Sequence, residues 1–334
     1  MSSNQPPVDP NLLAWISNEY HDANGSRFET LDHPPSPLEF SRLVHISRPV
    51  LIKGFIPPAL SRWTDDYLVD RMGKRPVSVA ITPNGQADAV TTSPDGSQYF
   101  VEPLVEQMTM EELLDCIGQG SSGSRRDEVL YLQSQNGNLY TNSYFEGGVS
   151  ADCEFETLRP DVPAEVPWCS DALDKPPDAV NLWIGDGRSV TSVHCDPYEN
   201  IYTVVRGAKH FTIFPPTDSV WMLERSYRHA TYVRSITADL ELIPSLDTPQ
   251  VRWASISNSE IEGAAPTNTH PIRITVRAGE TLYLPVGWWH HVKQARDVTI
   301  ALNWWYDAET QGLNWIGLSL LRNLENNDHS EESE

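Results

Sequence analysis

A chain of 334 residues and 37.5 kDa with 39% hydrophobic residues has enough apolar side chains for one large domain, which excludes disorder of the whole chain. Its 24 lysines and arginines against 46 aspartates and glutamates leave a net charge of −22, the wrong sign for phosphate backbones or anionic lipid, so neither nucleic acid nor membrane is expected as a direct partner. Cys116, Cys153, Cys169 and Cys195 form no Cys-x-x-Cys pair, no apolar run reaches the roughly 18 to 20 residues that span a bilayer, and Met1-Ser-Ser-Asn-Gln-Pro-Pro7 is no signal peptide, so a soluble protein of a reducing compartment is expected.

Asp9-Pro10 reads as an N-cap followed by proline at the first helical position, and Leu12, Leu13, Trp15 and Ile16 give that helix an apolar face. After the turn His33-Pro-Pro-Ser-Pro37 a second helical segment leads into the strand Arg48-Pro-Val-Leu-Ile-Lys-Gly54, stopped by glycine. A helix near 64–73 and a strand near 76–82 follow, then turns at Asn84-Gly85 and Pro94-Asp-Gly96. Thr109-Met-Glu-Glu112 is a capping box for a helix carrying Leu113, Leu114 and Ile117.

Beyond Glu128 the texture changes to short strand-like runs, among them Val129–Gln133, Ala179–Ile184, Ile201–Val205, His210–Phe214, Ile272–Val276, Thr281–Leu284 and Val298–Leu302. Glycines and prolines punctuate them, which argues a sandwich or barrel rather than a doubly wound sheet. The insert of roughly 55 residues between Pro216 and Ile272 is too long for an ordinary loop and is expected to hold order of its own or to cover a functional mouth. Leu313, Ile316, Leu318, Leu320, Leu321 and Leu324 make one apolar helix, and the acidic tail 325–334 is expected to be disordered.

The most informative segment is Val193-His-Cys-Asp-Pro-Tyr-Glu-Asn-Ile201. On a strand, residues two apart share a face, so His194 and Asp196 would present imidazole and carboxylate together while Cys195 points away. A third ligand is available in Trp288-Trp-His-His-Val292, where strand alternation allows only one of His290 and His291 to join and does not choose between them. Two histidines and one carboxylate make the facial triad of non-haem Fe(II) oxygenases.

Thr191 lies three residues before His194, Asn200 six after it and Lys209 fifteen after it, with Tyr131 and the Asn303-Trp-Trp305 segment further away. In these features, and in Val77-Ser-Val-Ala-Ile-Thr-Pro-Asn-Gly-Gln-Ala-Asp-Ala-Val90, Pro177–Asn181 and Arg277-Ala-Gly-Glu-Thr-Leu-Tyr-Leu-Pro285, the chain resembles the JmjC 2-oxoglutarate oxygenases, and within them the JmjC-only hydroxylases. The likeness runs from about residue 30 to 320. It implies a mainly β fold with helical decoration, a double-stranded β-helix or jelly roll. On that reading 1–127 packs on the barrel, 128–307 is the catalytic core, 308–324 is a C-terminal helix and 325–334 the tail.

The resemblance implies that His194, Asp196 and His290 hold Fe(II), and its Trp-(Trp/Phe)-His-His pattern selects His290. Lys209 would pair with the distal carboxylate of 2-oxoglutarate, Thr191 and Tyr131 would donate hydroxyls to it, and Asn200, Asn303 and Trp305 would line the same pocket. Turnover of 2-oxoglutarate with O₂ would give succinate, CO₂ and a hydroxylated lysine side-chain carbon in a protein partner, a developmentally regulated, translation-factor-class GTP-binding protein. The resemblance also tilts toward a homodimer, in the cytoplasm and also the nucleus. The competing readings are a histone N-methyl-lysine demethylase, a histone-tail protease and a cupin-like binding protein without activity. Against the demethylase stand the lack of a reader module, of zinc-cluster cysteines and of a basic surface. The set Lys209, Thr191 and Tyr131 argues against the protease, and the complete ligand set against an inactive protein. Asp186 and Asp307 are considered as holders of a lysine ammonium, but solvated turn and strand-end positions account for them more simply, and neither is assigned to the site.

Overall fold

The apolar runs of the second half pair edge to edge into facing sheets, in a computed structural model that describes residues 10–118, 128–135, 137–147, 153–256, 268–309 and 311–323. The expected cap at Asp9, Leu324 and the tail 325–334 lie outside the described residues. The barrel strands are β1 (Ala179–Gly185), β2 (Val190–His194), β3 (Tyr198–Arg206), β4 (Ala208–Phe214), β5 (Ile272–Arg277), β6 (Glu280–Leu284), β7 (Trp289–Gln294) and β8 (Thr299–Asp307). A seven-stranded sheet carries β6-β3-β8-β1, extended past β6 by Val50–Lys53 and Glu29–Leu31 and past β1 by Tyr140–Thr141. The facing five-stranded sheet runs β5-β4-β7-β2 and ends on Gln86–Ala87. All pairings among the barrel strands are antiparallel, which makes this the jelly roll expected from the sequence.

Alternation along the strands sends side chains to two destinations. Ile201, Leu302, Trp304 and Tyr306 leave the barrel for a core shared with Phe40, Leu68, Met72 and Leu113 of the N-terminal helices. Tyr202, Phe211, Ile213, Leu282 and Val292 pack between the sheets. Truncating a fully buried indole such as Trp304 to alanine costs about 3–5 kcal/mol in a core of this kind. The helices arise where the capping signals stand: Glu112 and Thr109 cap Met110–Gly118 reciprocally, and Ser36 with Glu39 does the same for Pro37–Ile46.

The first helix, Pro10–Asn24, departs from its expected facing. Leu12 and Trp15 are exposed, while Ser17 is buried and donates from its hydroxyl to Asp218 at 2.5 Å. A buried polar contact across the chain outweighs the local apolar pattern. The long insert is ordered where described: Glu224–Arg234 pairs with Leu240–Pro244 and Val251–Ala254, and runs parallel to Gln98–Glu102 of the N-terminal region. Among the described residues no helix is long and apolar enough to cross a membrane.

Candidate active site

His194 and His290 are partners in the β2–β7 register, with ring centroids 4.1 Å apart. Asp196 stands between them: its two carboxylate oxygens lie 3.8 Å from His194 Nε2 and 3.7 Å from His290 Nε2. The ligand atoms of the three residues all lie within 4.8 Å of one another, a clustering that suits one shared metal ion. Each ring is oriented by its other nitrogen, His194 Nδ1 on the Ser192 carbonyl at 2.8 Å and His290 Nδ1 on the Trp288 carbonyl at 3.0 Å. A proton on Nδ1 leaves the Nε2 lone pair free for a metal. Burial, helped by the neighbouring His194, pushes the pKa of His290 down to about 4, so its ring is neutral at physiological pH. His291, fully buried, takes the other face of β7, where alternation sends it.

Strand parity does not account for the whole arrangement. β2 ends at His194, so Asp196 reaches the site from beyond the strand. Cys195 still turns away from the three donors, as expected, since its neighbours Val193 and Trp289 have the opposite strand parity to His194 and His290. It borders the cavity and packs beside Val193 and Trp289, with burial pushing its thiol pKa up to about 12. A register shift between Thr191 and His194 adds a residue to β2, and this bulge lets both residues line one cavity although they stand three positions apart.

That cavity, of about 340 Å³, is lined by all the expected residues: Tyr131, Thr191, His194, Asp196, Asn200, Lys209, His290, Asn303 and Trp305. Lys209 lies on β4 just past Gly207, whose φ of +75° makes the turn and where a Cβ would come 2.5 Å from Thr299 Oγ1. Only 1% of Lys209 is exposed, and its ammonium donates to the Tyr131 hydroxyl at 2.9 Å. Among the described residues no carboxylate pairs with it, and burial alone pulls its pKa down to about 7. A buried ammonium that meets a hydroxyl and the faces of Tyr131 and Tyr202 but, among the described residues, no carboxylate is a place for an anionic ligand group. Asn303 Nδ2 donates to Asn200 Oδ1 at 3.1 Å, while its Oδ1 accepts from Trp183 Nε1 at 2.8 Å and Asn181 Nδ2 at 3.2 Å. Trp305 stacks on Tyr198 at 5.1 Å, and Trp304 turns into the outer core.

The other two aspartates considered are occupied elsewhere. Asp186 is bound by the Arg188 guanidinium at 2.7 Å, Asp307 lies 3.7 Å from Lys175, and neither lines the cavity. Sequence reasoning missed Trp253, Asp88, Gln133 and Phe100, which do line it. Trp253 comes from the insert, stacks on His194 with an interplanar angle of 5°, and donates to Ser192 Oγ at 3.0 Å. No spacing in the sequence ties it to His194; only the sheet formed by the insert does so. Asp88 lies in the 77–90 segment that carries part of the family resemblance, yet it sits at the bend between Gln86–Ala87 and Ala89–Thr92, where no strand parity can be read.

A jelly roll whose interior gathers two imidazoles, a carboxylate and a sealed lysine defines a cupin-like protein with a metal-binding constellation. The cupin-like domain family matches residues 35–312. The chain belongs to that family, in its JmjC branch of 2-oxoglutarate oxygenases. It is 37% identical over 285 residues to the bifunctional peptidase and (3S)-lysyl hydroxylase JMJD7 of Homo sapiens, covering 84% of each chain. It is 36% identical over 303 residues to the lysine-specific demethylase JMJ32 of Arabidopsis thaliana, covering 85% of this chain and 83% of that one. It is 31% identical over 319 residues to JmjC domain-containing protein E of Dictyostelium discoideum, covering 86% of both.

Proposed function

We propose that the protein is an Fe(II)- and 2-oxoglutarate-dependent protein hydroxylase acting on a lysine side-chain carbon, with a developmentally regulated GTP-binding protein as substrate. The observation that carries the reading is the pairing, in one cavity, of the His194, Asp196 and His290 donor set with Lys209, a buried ammonium lacking a carboxylate partner. His194 Nε2, Asp196 and His290 Nε2 would hold the iron, their rings fixed by the Ser192 and Trp288 carbonyls. Lys209, Tyr131 and Thr191 would hold the distal carboxylate of 2-oxoglutarate, and the linked amides of Asn200 and Asn303 would border it. Iron, 2-oxoglutarate and O₂ together supply the oxidation, which leaves succinate, CO₂ and a hydroxylated carbon. The chain's part is to position the C–H bond and to exclude water with Trp183, Trp253 and Trp305.

The lysyl preference takes its support from the similarity to a (3S)-lysyl hydroxylase. Exposed Leu313, Ile316 and Leu320 on the C-terminal helix support a homodimer as part of the same reading. The test is mass spectrometry of intact candidate GTP-binding proteins incubated with the protein, Fe(II), 2-oxoglutarate and air. One added oxygen on a lysine, matched by succinate, is expected. Loss of methyl from a methylated lysine would instead favour demethylation, and a cleaved chain would favour proteolysis.

A further inference from the structure

The cavity is electrically divided. Lys209 is the cation among its lining residues, and its acidic residues are Asp196, beside the histidines, and Asp88. Asp88 stands where Gln86–Ala87, paired parallel to β2, leaves the barrel for Ala89–Thr92, which pairs with Gln98–Glu102 in another sheet. Its φ of +52° makes that change of direction, in a region that aspartate tolerates better than most residues. The position is anchored twice. Ser192 Oγ donates to the Asp88 carbonyl at 3.2 Å, and the Gln133 side-chain amide donates to its carboxylate at 2.8 Å.

Three buried carboxylates are neutralised by arginine, Asp161 by Arg62, Asp186 by Arg188, and Glu224 by Arg252 and Arg322, while Asp218 lies 3.6 Å from His270 and Glu199 accepts from the Tyr283 hydroxyl, neither of them at this cavity. Among the described residues Asp88 forms no ion pair, although it borders a cavity whose wall there is aromatic, with Phe100 and Trp253 at 4.8 Å between ring centroids. An aromatic wall ending in an unpaired carboxylate suits a methylene stem tipped by a cation.

We propose that Asp88 receives the ammonium of the substrate lysine and so selects a charged amine over a neutral aliphatic side chain. This assignment rests on the lysyl-hydroxylase reading. A lysine oxidised on its side chain carries its ammonium several bonds beyond the reacting carbon, and Asp88 neighbours β2 on the side of Ser192 and His194. The experiment compares two synthetic peptides around the target lysine, identical except that one has norleucine in its place, against wild type and Asp88→Asn. Asparagine keeps the shape, tolerates the left-handed backbone and can still meet Gln133. The wild type is expected to favour lysine over norleucine by about tenfold to a hundredfold in kcat/KM, and the variant to lose most of that ratio. A purely structural role would lower both peptides together and leave the ratio intact, which would overturn the assignment. Equal use of both peptides by the wild type would overturn it without any variant. If the wild type oxidises neither, the lysyl reading itself fails and Asp88 loses the role with it.

Discussion

His194 and His290 face each other across the β2–β7 pair, and the two oxygens of Asp196 lie between their Nε2 atoms at 3.8 and 3.7 Å. The three groups act as one donor set, so removing the carboxylate removes the charge that offsets a divalent cation. Asp196→Ala is expected to abolish metal binding and turnover while the protein stays folded. His291→Ala is expected to keep the metal but to lower stability by about 2–4 kcal/mol, because it empties a fully buried position on the opposite face. Metal content by mass spectrometry and thermal melts check both, and metal retained by the Asp196 variant would remove it from the ligand set.

Lys209→Met is expected to act in opposite directions on binding and on stability. Losing one charge-assisted contact, worth about 1.5–3 kcal/mol, should weaken 2-oxoglutarate by tenfold or more and leave metal affinity in place. The unbound protein should melt at a higher temperature, since methionine relieves a buried ammonium that has no carboxylate partner among the described residues. Calorimetry with Mn(II) and a melting curve test the pair of effects; unchanged 2-oxoglutarate affinity would take Lys209 out of the pocket.

The same lysine sets a pH dependence. Burial lowers its pKa in the unbound protein from 10.5 to about 7, so between these values the unfolded chain holds more protons and stability rises with pH. A bound carboxylate restores the charge, and binding above about pH 7 therefore takes up a proton. Affinity for 2-oxoglutarate should fall by up to about tenfold per pH unit in that range. Binding enthalpies measured near pH 8 in buffers of different ionisation enthalpy would reveal the uptake, and buffer-independent heats would contradict it.

Gly185 ends β1 against the ring of Tyr131. A Cβ there would meet Tyr131 Cδ2 at 2.7 Å and Gln294 Nε2 at 2.6 Å, so Gly185→Ala must push the tyrosine whose hydroxyl holds Lys209. The expected result is a loss of about 1–3 kcal/mol in stability together with weaker 2-oxoglutarate binding and unaltered metal binding. Chemical denaturation and titration of both ligands measure it.

The barrel was legible because its strands are short apolar runs closed by glycine and proline, and because the spacings around His194 resemble those of a known family. Lys209 shows what periodicity alone leaves open: in isolation it reads as a lysine just after a turn, and only its register with His194 placed it in the pocket. Asp196 was reached by a parity that the structure does not use, since β2 stops at His194. Trp253 and Asp88 were illegible because long-range pairing places them there, the first through the insert's sheet and the second through a parallel contact of just two residues with β2. The buried Ser17–Asp218 contact, which turns the first helix, is likewise a pairing of distant residues that no local pattern encodes.

The most direct test of the account is a crystal structure grown without oxygen with Mn(II) and 2-oxoglutarate. Manganese is expected on His194 Nε2, Asp196 and His290 Nε2, with the distal carboxylate of 2-oxoglutarate on the Lys209 ammonium and the Tyr131 hydroxyl. Manganese held by His291, or a dicarboxylate lying away from Lys209, would contradict it.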